Sequence, residues 1–141
     1  MQLRLGKVDE HLELVELERV PPDLPGAGDV RTMATLRVAG LYGSRTVWLA
    51  QPHLHGFIAA FTILLEKGTG SARLESMSPG ELVLEITPSN ARGDLHAAVA
   101  IRKWQYGRHS GSDLASLSGT IEIDAEYRQN ILNDFHALVR L

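Results

Sequence analysis

Apolar and polar residues alternate along most of the chain, and this period of two gives way twice to a helical period. Leu3 and Leu5 share one parity, and so do Leu12 and Leu14, which predicts strands with one apolar face. Val15 and Leu17 then switch parity, the mark of a bulge or of a strand's end. Pro21-Pro22-Asp23-Leu24-Pro25-Gly26-Ala27-Gly28-Asp29 reads as a loop, because its three prolines lack the N–H that a central strand must donate. Between Val30 and Val38 the alternation is strict. Val30, Thr32, Ala34, Leu36 and Val38 point one way; Arg31, Met33, Thr35 and Arg37 point the other. A turn over Gly40 to Ser44 and a second strand from Arg45 to Ala50 make a hairpin.

Pro52 suits a first helical position. Leu54, Phe57, Ile58, Phe61, Leu64 and Leu65 follow at helical spacing, an amphipathic helix with its apolar stripe toward a sheet, and Gly68 ends it. Strands are expected again over Ala72 to Met77, around Leu82, Leu84 and Ile86, and around Leu95, Ala97, Val99 and Ile101. A polar, Gly-containing connection runs to about residue 113, and a last strand spans Ser116 to Ile123. Asp124 is placed to N-cap a final helix with Arg128, Ile131, Leu132, Phe135, Leu138 and Val139 on its stripe.

Four strands, a helix, four strands and a helix, joined by short connections, predict an α+β domain. It is a mainly antiparallel sheet of about 7–8 strands with both helices packed on it. The two halves also align with each other. Thr46-Val47-Trp48-Leu49 matches Thr120-Ile121-Glu122-Ile123 without a gap, and Phe57-Ile58, Phe61 and Leu64-Leu65 then meet Ile131-Leu132, Phe135 and Leu138-Val139. Leu3 to Leu17 resembles Ala72 to Ile86. Such a pseudo-repeat would place the two helices side by side on one continuous sheet.

Composition narrows the class. At 141 residues, 44% of them hydrophobic and 22% charged, the chain is expected to be a single globular domain over 1–141. No apolar run approaches the roughly 18 residues of a membrane span, and the N-terminus has no signal-peptide pattern. The absence of cysteine excludes disulfides, thiolate metal sites and Cys nucleophiles, and fits a cytoplasmic setting. The net charge of −3 conceals an uneven distribution. Residues 1–30 carry seven acids against three bases; residues 91–112 carry Arg92, Arg102, Lys103 and Arg108 against Asp94.

The candidate chemistry is sparse. His53 and His55 sit in the first turn of a helix about 200° apart and cannot share one ion. His109-Ser110-Gly111-Ser112-Asp113 has the letters of a triad, but triad members converge from separate elements. Gly68-Thr69-Gly70-Ser71 follows a helix, whereas phosphate loops precede one. Glu75, Glu81, Glu85 and Glu122 have outward parity and form no general acid/base pair. No catalytic residue, metal ligand or cofactor is therefore expected. Two features suit an interaction surface. Arg102-Lys103-Trp104-Gln105-Tyr106-Gly107-Arg108 interleaves cations with aromatics. Trp48 and Met33 have outward parity on the hairpin and would mark an interface, with a homodimer among its readings.

One wider resemblance rests on the segment from Gly70-Ser71-Ala72-Arg73-Leu74-Glu75-Ser76-Met77 onward. It continues through a turn, the strand Glu81-Leu82-Val83-Leu84, Gly93 before another apolar strand, and a strand ending at Asp124 before a helix with Phe135 and Leu138. Over roughly residues 30–141 the chain resembles the small bacterial WapI-family immunity proteins. The resemblance implies a cytoplasmic protein that binds a cognate toxin-like partner without catalysis. It assigns no role to any residue. A small-ligand protein or enzyme with a site of dispersed residues, and nucleic-acid binding through 102–109, are the alternatives; nucleic acid is the less expected partner, and no membrane partner is expected.

Overall fold

The alternating segments form strands and the two stripes form helices, in the predicted order. The computed structural model describes residues 1–105 and 112–139. Strands β1 (Gln2–Gly6), β2 (His11–Arg19), β3 (Val30–Val38) and β4 (Leu41–Leu49) lead into helix α1 (Gln51–Lys67). Strands β5 (Ala72–Glu75), β6 (Leu82–Pro88), β7 (Leu95–Gln105) and β8 (Ser112–Ile123) lead through a single 3₁₀ turn, Ala125–Tyr127, into helix α2 (Arg128–Leu138). The fold is α+β and all strand pairing is antiparallel. Among the described residues no helix is long and apolar enough to cross a membrane.

The strands divide into two four-stranded sheets, β1-β2-β3-β4 and β5-β6-β7-β8, rather than one continuous sheet. The reason is coverage. Eight strands side by side span roughly 38 Å, and two helices of about 10 Å diameter cover little more than half of that. The inner rows are almost wholly apolar, including Leu36, Val38, Val99 and Ile101, with Thr32 the polar exception on β3, so the sheets bury the remainder against each other. Two glycines mark close approaches between them. A Cβ on Gly119 of β8 would lie 2.8–3.0 Å from the Val38 side chain. One on Gly43 of β4 would lie 3.0 Å from Ile101 and 3.1 Å from Leu117.

Each helix packs against the other half's sheet, α1 on β5 and β6, α2 on β1, and the helices touch side by side. Phe57 meets Phe135 edge-on with ring centroids 4.7 Å apart and stacks on Phe61 at 5.8 Å. The pseudo-repeat extends to the helix starts. Neither Ala50 nor Asp124 makes a side-chain cap. Instead Gln51 N–H donates to Asp29 Oδ1 and Ala125 N–H to Asp94 Oδ1, both at 2.9 Å. Asp29 immediately precedes β3 and Asp94 immediately precedes β7. The Asp124 carboxylate, expected to cap, points instead toward Lys7 Nζ at 4.0 Å.

Four boundaries differ from expectation, the first being that β8 begins at Ser112 rather than Ser116. The β3–β4 turn is shorter, with left-handed Ala39 and Gly40 (φ 51° and 78°) forming a two-residue turn, so pairing continues to Val38 opposite Leu41. Strand β7 runs on to Gln105, with a bulge at Lys103 and Trp104, so Arg102 to Gln105 is strand and not connection. Strand β5 ends at Glu75, because Ser76 enters the turn described below. The parity switch in β2 is a bulge between Glu16 and Glu18.

Candidate functional site

The β5–β6 turn gathers residues that are far apart in sequence. Within it, Ser76 is buried; its Oγ donates to the Ser78 carbonyl (2.7 Å) and accepts from Leu82 N–H (2.9 Å). Gly80 N–H donates to Glu75 Oε2 at 2.8 Å. Gly80 adopts φ 81°, and the Trp104 ring lies so close over it that a Cβ would fall 2.8 Å from Cζ2. Only glycine meets both demands. Trp104 Nε1 donates to the Pro79 carbonyl at 3.1 Å. Arg102 donates to the Gly80 carbonyl at 3.3 Å through its guanidinium, and to the Glu81 carbonyl at 2.9 Å through its backbone. Arg45 pairs with Glu81 at 2.9 Å. Met77 N–H donates to the Trp48 carbonyl at 2.9 Å and ties the turn to β4.

Trp48, Arg102 and Trp104, predicted as two separate surfaces, thus converge on one turn. Trp48 and Met33 face outward on the first sheet as their parity predicts; Trp48 is half-buried and Met33 40% exposed. Met33 pairs with Val15 and Thr46, and Trp48 pairs with Arg31, one row along. Exposed Leu17 and Met77 (42% each) extend the apolar positions on either side. Trp104 is half-buried. Tyr106 and Arg108 lie outside the described residues.

The remaining motifs do not assemble chemistry. His53 and His55 are exposed on α1, and no cluster of three metal-binding side chains occurs among the described residues. His109, Ser110 and Gly111 of the triad-like run lie outside the described residues. The outward glutamates each meet a basic side chain instead of one another: Glu75 and Glu85 meet Arg73, Glu81 meets Arg45, and Glu122 meets His96 at 2.6 Å. Ser89 Oγ also lies 3.0 Å from His96, on the same Nε2 that faces Glu122. A triad needs the hydroxyl and the acid on opposite ring nitrogens, so this is no relay. Two carboxyls sit below their ordinary range. Glu13 is lowered chiefly by the hydrogen bond from Arg4, and Asp94 by the bond from Asn90 and then by Ala125 N–H. Both are surface contacts that hold structure.

No protein-family model matches the chain, and no curated protein matches it either. What the residues can do therefore rests on their geometry.

One cleft escaped sequence reasoning. A space of 590 Å³ opens between the β1–β2 turn, the end of β8 and α2, lined by Lys7, Val8, Asp124, Tyr127, Ile131 and Asp134 among others. Helical spacing could have suggested its α2 wall, since Tyr127, Ile131 and Asp134 recur on one side. Nothing in the sequence signalled that β1 and β8 would be brought beside them.

Proposed function

We propose that this chain is a non-enzymatic protein-binding module, of the immunity-like kind that its resemblance implies. The contact surface is the outer face of the first sheet together with the β5–β6 turn. The observation that carries the reading is the set of outward apolar side chains Leu17, Met33 and Trp48, on a sheet face whose inner side already holds the core, with exposed Met77 of the β5–β6 turn hydrogen-bonded beside Trp48. Soluble domains keep large apolar side chains on such a face where a partner covers them. Trp48 is the anchor, and Arg31, its cross-strand partner on the same face, forms its polar rim. Arg102 and Trp104 both hold the turn, which favours a protein contact over nucleic-acid stacking. A second copy of the chain is one candidate partner.

Tagged wild-type chain and the Trp48→Ala and Met33→Ser variants test this in the source cells. The expected result is a stoichiometric protein partner, or a dimer by sedimentation, that both variants lose. Wild type that captures nothing and sediments as the same monomer as Trp48→Ala overturns it.

A further inference from the structure

The pseudo-repeat gives the fold two seams between its sheets, and they differ. At one, Met77 N–H bonds to the Trp48 carbonyl and ties the β5–β6 turn to β4. The aligned positions in the other half are Val8 and Glu122. No hydrogen bond joins these two among the described residues, and the 590 Å³ cleft opens between them. The β1–β2 turn holds this gap. Lys7 N–H closes the turn on the Glu10 carbonyl, and Gly6 at φ 105° packs against Ile121 with no room for a Cβ.

The lining has a definite character. Glu122, Asp124 and Asp134 contribute carboxylates, of which Glu122 also meets His96 and Asp124 faces Lys7, and a neighbouring groove adds Asp9 and Glu10. Of the two bases, Arg4 is turned to Glu13 at 2.9 Å, and Lys7 sits at the rim, 68% exposed. The Asp134 carboxylate is half-buried and has no hydrogen-bond or ion-pair partner among the described residues. Tyr127, 51% exposed, presents a ring on the same side of α2, with buried Ile131 at the floor. Carboxylates beside an open aromatic face suit a guanidinium or ammonium group, through ion pairing and cation–π attraction.

We propose that this cleft receives an arginine or lysine side chain presented on an extended segment of a protein partner. The proposal deepens the protein-binding reading by naming the partner's chemistry, and it rests on that reading. Two observations favour a peptide over a free small cation. The cleft holds about twenty waters' share of liquid volume, more than one side chain fills. It also lies along a seam where an extended backbone replaces the contact that Met77 and Trp48 make opposite.

An acetylated, amidated hexa-arginine peptide is the probe, titrated at low salt with hexaglutamate and free arginine beside it. Wild type is expected to bind hexa-arginine and not hexaglutamate, with free arginine at least a hundredfold weaker. Asp134→Asn with Tyr127→Ala is expected to weaken binding at least tenfold, and Lys7→Glu at the exposed turn to tighten it at least threefold. No binding of hexa-arginine, an affinity within twofold of wild type in all these variants, or free arginine as tight as the peptide overturns the proposal. The Trp48→Ala chain separates the two readings. It is expected to lose partner capture and to keep hexa-arginine binding, because it lies at the closed seam.

Discussion

Substituting Gly119 by alanine tests the packing of one sheet on the other, the feature that most distinguishes this fold from a single layer. The added Cβ would sit 2.8 Å from Val38 Cγ2 and 3.0 Å from its Cβ and Cγ1. Val38 is β-branched, 5% exposed and fixed in the β3–β4 ladder, so it has no free rotamer into which to retreat. Overpacking of this kind costs about 1–3 kcal/mol. The narrower unfolded ensemble of alanine returns about 0.4–1 kcal/mol, leaving a loss of about 1–2 kcal/mol. In urea, with a slope of about 2 kcal/mol/M for a domain of this size, the midpoint is expected to fall by roughly 0.5–1 M. The partner variant makes the test specific. Val38→Ala alone leaves a gap, but in the double variant the new Cβ occupies it, so the two losses must fail to add by about 1 kcal/mol or more. A Gly119→Ala chain as stable as wild type, or strictly additive losses, refutes the close approach of β8 to β3.

Ser76→Ala removes a buried hydroxyl that accepts from Leu82 N–H; the orphaned amide is expected to cost about 1–3 kcal/mol in chemical unfolding, and an unchanged midpoint counts against the turn. The pH dependence follows from Glu13 and Asp94, whose carboxyls the fold holds below their ordinary range. Their contribution is present in full from about pH 5.5, a unit above the ordinary carboxyl values, and is lost as the pH falls through the lowered folded values. Thermal midpoints measured from pH 7 down to 2.5 should fall on the acid side in wild type, and less steeply in Asp94→Asn with Glu13→Gln; equal slopes would exclude these two groups as the cause.

The sequence by itself determined the order and type of the eight strands and the two helices. Parity gave the inner rows of β3 and β7 and the outward placement of Met33 and Trp48, because a strand's side chains can only alternate. The stripes of α1 and α2 and the Gly68 stop were equally legible, and so was the order that repeats between the halves. The tertiary structure decided what alternation cannot encode, namely which apolar row faces which. Two helices could not cover eight strands, so the chain closed its sheets upon each other and placed Gly43 and Gly119 where they approach. Closure brought Trp48 and Arg45 of β4 and Arg102 and Trp104 of β7 to one turn. It also gave each helix its cap from a distant aspartate, Asp29 or Asp94, where the local candidate Asp124 had been expected. The same closure bridged one seam with a hydrogen bond and left a cleft beside the other, since hydrogen bonds and clefts between distant segments depend on through-space distances that local periodicity does not carry.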